Sequence, residues 1–272
     1  MRKFTAGRFA LPLGNHTYIM GILNVTPDSF SDGGRFFSSD LAVAHALEMQ
    51  AQGADLIDVG GQSTRPGYEA IPWEQEWERL EPVLLGLQGK LSVPLSVDTF
   101  YPEVAKKALA CGADIINDVT GFCLEEMWRT AAESSCGCIV MHPCGAPGDI
   151  VPAVHAFFEQ KRKEAERFGI APERLCMDPG VGFGKEYEQN LRLIANVGRT
   201  RLPDCAFLMA ASRKRVIGQP CGNPPFAERM PGTIAAHTLA AAGGADILRV
   251  HDVWEAVQAA RVADAVLSQR QG

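Results

Sequence analysis

The chain predicts an α/β fold of one domain, a (β/α)8 barrel whose working rim lies at the C-terminal ends of the strands. Three observations carry this reading. Eight short apolar runs alternate with stretches of helical periodicity. Gly-Ala-Asp precedes three of those runs, in GADLIDVGG from Gly53, GADIINDVTG from Gly112 and GADILRVHD from Gly244. Seven of the eight runs end on a polar side chain, where a barrel collects its functional groups.

The elements follow in order. YIMGILN (18–24) is the first strand, and the helix after it carries Leu41, Ala44, Leu47 and Ala51 on one face, capped by Ser39 or Asp40 and closed by Gly53. DLIDVG (55–60) leads to a helix striped by Trp73, Trp77, Leu80, Leu84 and Leu87, with Pro82 marking a kink. VPLSVD (93–98) precedes a helix opened by Pro102. DIIND (114–118), GCIVMH (137–142), RLCMD (174–178), AFLMAAS (206–212) and DILRVH (246–251) complete the strands. Val253, Val257, Ala260 and Leu267 stripe the last helix. These stripes read as barrel-packing faces. A doubly wound open sheet is the rival, but no G-x-G-x-x-G follows the first strand. No Pro-, Ser- or charge-rich linker divides the chain, so residues 1–272 are expected to form one domain with its core at about 17–268.

With 46% hydrophobic and 21% charged residues, the chain has a globular composition. A net charge of -6 leaves no footprint for nucleic acid or for an anionic membrane, so an anionic ligand must find cations gathered locally. Arg2, Lys3 and Arg8 are not followed by an apolar segment, which argues against a signal peptide, and no run approaches a membrane span. The eight cysteines form no C-x-x-C pair, and reduced thiols in a cytoplasmic protein are the expectation. Cys136, Cys138, His142 and Cys144 could instead gather on a metal, although zinc sites show wider, regular spacing.

The strand ends are Asn24, Gly60, Asp98, Asn117 with Asp118, His142, Asp178, Ser212 and His251. One strand-end Asp is an ordinary helix cap, whereas seven converging polar ends describe a shared pocket. Two rim loops stand out. NVTPDSFSDGGRF (24–36) sets Phe30 among polar residues and is long enough for a lid. GGQSTRPGYE (60–69) has a firm turn at Pro66–Gly67 and a guanidinium fork at Arg65. Arg213, Lys214, Arg249 and His251 add cations to the same rim, which suits an anion site. Asp98, Asn117 and Asp178 could bind a metal, work as an acid/base pair, or recognise a heterocycle edge. The amide favours recognition, because Asn both donates and accepts; an amino-pyrimidinone edge matches the set.

GILNVTPDSFSDGG, GADLIDVGGQSTRPG, DPGVGFGK, SRKRVIG and RVHDV resemble the motifs of dihydropteroate synthases, in that family's order, from residue 21 to 253. The resemblance implies a TIM barrel of folate biosynthesis that joins 6-hydroxymethyl-7,8-dihydropterin pyrophosphate to p-aminobenzoate and releases pyrophosphate with the help of Mg2+. It assigns the pterin to Asp98, Asn117, Asp178 and Lys214, and the diphosphate to Thr64, Arg249 and His251. Phe30, Arg65, Pro66, Phe183 and Ser212 would surround the p-aminobenzoate. Asn24 would be the Mg2+ ligand, with diphosphate and water completing the shell. Diphosphate would leave before much attack, with Asp98 stabilising the resulting pterin-methyl cation. A homodimer is the family's habit.

Two departures from the family pattern stand in this sequence: Ala210 replaces the usual Gly two residues before Ser212, and the segment after His142 begins PCGAPGDI. No role is transferred to that loop, and a structural role is left open for His142. The alternative readings are a pterin-binding methyltransferase domain and a catalytically silent pterin-binding barrel. The first would not need the cations and the long first loop; the second would have lost them.

Overall fold

The structure, a computed structural model, describes residues 2–26, 35–62 and 69–269, with 35–38 as backbone only. A hairpin comes first, β1 (Lys3–Ala6) and β2 (Phe9–Pro12), followed by β3 (Tyr18–Asn24), α1 (Arg35–Ala51), β4 (Leu56–Gly60) and α2 (Trp73–Leu87). Next are β5 (Leu95–Asp98), α3 (Pro102–Ala110), β6 (Ile115–Asp118), α4 (Glu125–Ala132), β7 (Gly137–Met141) and α5 (Ile150–Arg167). The chain continues through β8 (Leu175–Asp178), α6 (Tyr187–Ala195), α7 (Val197–Thr200), β9 (Ala206–Met209) and α8 (Arg215–Gly218). It ends with α9 (Met230–Ala242), β10 (Ile247–Val250) and α10 (Val253–Ser268). Strands β3 to β10 close into a parallel barrel in chain order, with β10 paired to both β9 and β3. The predicted fold class is the one observed.

Alternation along the strands explains why they read as continuous apolar runs. Met20, Leu56, Ile115, Ile139, Cys176, Leu208 and Ile247 point inward and pack on one another. Their neighbours Ile19, Ile57, Ile116, Cys138, Leu175, Phe207 and Leu248 point outward and pack under the helices. Both faces of each strand are therefore dry, as in other parallel sheets enclosed by helices.

The hairpin was not read from the sequence. Phe4 and Ala6, both fully buried, belong to the inner cluster, so β1 and β2 plug the N-terminal floor of the barrel. The fit is close: a β-carbon at Gly137 would stand 2.7 Å from Phe4 Cζ. Arg2 ties the plug to Asp246 at 2.8 Å, and the Tyr18 hydroxyl donates to Pro12 O at 2.7 Å.

The first helix corrects a second expectation. It starts at Arg35 rather than at a Ser39 or Asp40 cap, and it buries Ala42, Ala46 and Met49, while Leu41 is 44% exposed. The stripe Leu41–Ala44–Leu47–Ala51 is thus displaced around the helix from the face that packs on the barrel. Helix α2 runs unbroken through Pro82.

Replacing Phe4 by Ala should cost about 3–5 kcal/mol of stability, since it empties the floor. Urea denaturation measures this; a loss below about 1 kcal/mol would show that the plug lies outside the cooperative core.

Candidate active site

Strand register sets the rim. Asn24 pairs with Gly60, Gly60 with Asp98 and Asp98 with Asn117, so these four stand in one row across β3 to β6. Asp178 ends β8. Asp98, Asn117, Asp178 and Ser212 are all buried, whereas Asn24 and His251 are half-buried.

The centre of the site is an ion cluster that closes the apolar interior from above. Arg249 on β10 donates from Nε to Asp58 Oδ2 at 2.6 Å and from Nη2 to Asp98 Oδ2 at 2.8 Å. Asp58, fully buried, also accepts from Ser96 Oγ at 2.6 Å and from Asn117 Nδ2 at 3.1 Å. Burial opposes the guanidinium charge, but Asp58 and Asp98 outweigh it and raise the Arg249 pKa. Asp98 is pushed up to about 7 by burial, against the pull of Arg249. Among the described residues its Oδ1 has no hydrogen-bond partner, which leaves a free acceptor in the floor.

Asp58 is the residue that sequence reasoning missed. A signal was available: it lies two residues before the strand end at Gly60, on the same face, and a carboxylate in a run buried on both sides requires partners.

The second cluster joins β8 to the turn after β9. Asp178 accepts the Gly180 N–H at 2.7 Å, and burial raises its pKa while Lys214 opposes the rise. Lys214 donates to Val181 O at 2.7 Å and lies 4.7 Å from the centre of the Phe183 ring. Burial lowers its pKa to about 8, with Asp178 acting the other way. Ser212 Oγ and His251 Nδ1 are 2.9 Å apart. Ala210 faces the barrel interior, so the methyl that departs from the family pattern lies on the inner wall.

Several polar residues at the rim have other duties. Asp118 turns away from Asn117 and accepts from the backbone of Thr120 and Phe122 at 2.7 and 3.0 Å, holding a turn. Arg213 pairs with Asp252 instead of facing the mouth. Lys185 donates to the carbonyls of His142, Gly180 and Phe183 and so fixes the DPGVGFGK loop. His142 is buried edge-on to Phe157, and burial lowers its pKa to about 4, which keeps it neutral. Cys136 and Cys144 flank β7 at opposite ends, so the alternative metal cluster does not assemble. Phe30, Thr64, Arg65 and Pro66 lie outside the described residues.

With this geometry in hand, similarity to known proteins is informative. Residues 20–251 match the model of a family described as pterin binding enzyme. A relative from Synechocystis sp., named dihydropteroate synthase, is 42% identical, the match covering 96% of this chain and 93% of the relative. A solved dihydropteroate synthase from Burkholderia cenocepacia, complexed with 7,8-dihydropteroate, superposes with a TM-score of 0.90 at 38% identity, covering 100% of this chain and 99% of that one. The enzyme from Xanthomonas albilineans with 4-aminobenzoic acid gives 0.88 at 44% identity over 92% and 93% of the two chains.

Replacing Asp58 by Ala should destabilise the fold by about 3 kcal/mol or more, because it strips a buried guanidinium of a partner. Arg249→Met in the same chain should recover part of that loss. Urea titrations of the single and double variants test this; additive losses would show that the two side chains are not coupled.

Proposed function

The chain belongs to the pterin binding enzyme family, among its dihydropteroate synthases, and from that premise we propose how its rim carries out the reaction. The enzyme is a transferase that condenses 6-hydroxymethyl-7,8-dihydropterin pyrophosphate with p-aminobenzoate to give 7,8-dihydropteroate and pyrophosphate. The observation that carries the assignment of roles is the floor of the barrel mouth, where the buried carboxyls of Asp98 and Asp178 and the buried amide of Asn117 lie with the half-buried amine of Lys214. A pterin edge presents adjacent N–H donors and a carbonyl acceptor. Asp178 and the free oxygen of Asp98 accept from it, Asn117 does both, and Lys214 donates. A methyltransferase barrel would share this floor but would not need the anion-binding residues above it.

Arg249, His251 and Thr64 hold the diphosphate. The Arg249 guanidinium carries five N–H donors, so a diphosphate can share it with Asp58 and Asp98. The p-aminobenzoate lies higher, against Phe183 and Ser212, with Phe30, Arg65 and Pro66 supplied by the two long loops. Asn24 at the end of β3 offers its amide oxygen to Mg2+. The donor set fits: among the described residues no three His, Cys, Asp or Glu gather into a cage, and Mg2+ prefers few protein ligands with phosphate and water. When bound, Mg2+ neutralises charge on the diphosphate.

In the reaction, the pterin C–O bond breaks with its electron pair going to diphosphate, and Arg249 faces the charge that leaves. Asp98 then lies beside the positive pterin-methyl carbon. The aniline nitrogen forms the new C–N bond and loses one proton.

Two further parts of the reading concern assembly and compartment. Leu239, Val262 and Val266 are 66%, 65% and 56% exposed on α9 and α10, beside a groove floored by Ala242, Ala259 and Ala263. A second copy of the chain, docked by the same face about a two-fold axis, would cover them. All eight cysteines are free, which suits a reducing cytoplasm.

Incubating the purified protein with Mg2+, pterin pyrophosphate and p-aminobenzoate should yield dihydropteroate and pyrophosphate in equal amounts; no product would overturn the reading. Asp178→Ala should leave the fold intact and weaken pterin binding by about 1–3 kcal/mol, as read by calorimetry. Undiminished affinity would remove Asp178 from the site.

A further inference from the structure

The turn after β9 carries Ser212 and Lys214 to the rim, and helix α9 holds that turn from outside the barrel. The Ala211 N–H donates to His237 Nε2 at 3.1 Å, and the Arg213 N–H donates to Thr233 Oγ1 at 2.9 Å. His237 and Thr233 stand four residues apart on one face of α9, and both are buried. The Thr233 hydroxyl also donates to Arg229 O at 2.9 Å, so it accepts and donates at once.

The turn needs such a clamp. Arg213 has a φ of 55°, in the left-handed region that is costly for a residue with a β-carbon. Its carbonyl accepts from Arg229 Nη1 at 3.2 Å, and its guanidinium pairs with Asp252. The Lys214 N–H closes the turn on Ala211 O at 3.2 Å. From there the Lys214 side chain runs over Gly182, where a β-carbon would stand 3.1 Å from its Cδ, and reaches Val181 O at 2.7 Å. The placing of Ala211 therefore sets where the amine sits beside Asp178. Ser212 has a separate anchor on β10, because its Oγ lies 2.9 Å from His251 Nδ1 and accepts the His251 N–H at 3.2 Å.

Histidine is a costly choice for a contact with no further duty. A backbone N–H can only donate, so His237 Nε2 bears the lone pair and the proton of the neutral ring stands on Nδ1. Among the described residues that Nδ1 is buried without a hydrogen-bond partner. Burial lowers the His237 pKa to about 3, with the Lys214 charge acting the same way, so no second proton displaces the lone pair at neutral pH.

We propose that His237 is a positioning residue for the synthase reaction: by holding the Ala211 N–H it fixes the Ala211–Lys214 turn and with it the Lys214 amine on the pterin floor. The proposal rests on the synthase reading. Thr233 steadies the other side of the same turn, so both side chains act on the pterin through Lys214.

Calorimetric titration of pterin pyrophosphate with Mg2+ into the enzyme tests this as a double-variant cycle. His237→Ala should weaken binding about tenfold, since it leaves the Ala211 N–H buried and unpaired. His237→Gln presents an amide oxygen in place of Nε2 and should return the affinity to within about twofold of the wild type. Added to Lys214→Ala, His237→Ala should cost less than about twofold more, because the amine it positions is already gone. Thr233→Val keeps the shape and loses the hydroxyl, so it should repeat the pattern at about threefold, whether or not His237→Ala folds. An active wild type whose affinity neither His237→Ala nor Thr233→Val changes would overturn the positioning role alone, as would losses that add in full to that of Lys214→Ala. A wild type that neither binds pterin pyrophosphate nor forms dihydropteroate would overturn the synthase reading and this proposal with it.

Discussion

The contact on which the rest of the site depends is the buried pair of carboxylates around one guanidinium. Removing Arg249, Asp58 and Asp98 from water is expensive, and their attraction repays that cost only when the geometry is good and the remaining acceptors are satisfied. The barrel supplies both conditions. Arg249 reaches across the interior to strands 191 and 151 residues earlier in the chain, and Ser96 and Asn117 complete the shell of Asp58. The Asn117 amide is oriented by the same network, so its oxygen faces away from Asp58. A rim built on such a layer needs little reorganisation when a substrate arrives, which is where electrostatic stabilisation is most effective.

The distribution of positive charge follows from this. An acidic protein with a net charge of -6 presents an anion with a few selected cations rather than a basic surface. Lys185 and Arg213 serve as internal fasteners through carbonyls and Asp252, whereas Lys214 and Arg249 stand at the barrel mouth near Asp178 and Asp98. Burial raises the pKa values of Asp98, which accepts from Arg249, and of Asp178, which faces Lys214.

The barrel was legible because its strands are buried on both faces and appear as apolar runs, all but the one at Gly60 ending on a polar residue. Asn117 was legible at such an end. Asp58 was not, because within a strand its polarity interrupts a run without revealing a partner on β10. The opening hairpin escaped because Phe4 and Ala6 gain their significance only from the floor they seal. Helix α1 was misjudged because several faces of Leu41–Gln50 are apolar enough to pack, and only the barrel selects Ala42, Ala46 and Met49. His237 could have been found by phase, for it shares a buried helical face with Thr233, Ala240 and Ala241.

The sealed floor also governs traffic. With Phe4 closing the N-terminal end beneath an apolar interior, the buried polar layer of Asp58, Asp98 and Asn117 opens toward the C-terminal rim. A molecule on the Asp98–Asn117 floor must enter before anything stacked above it and leave after it.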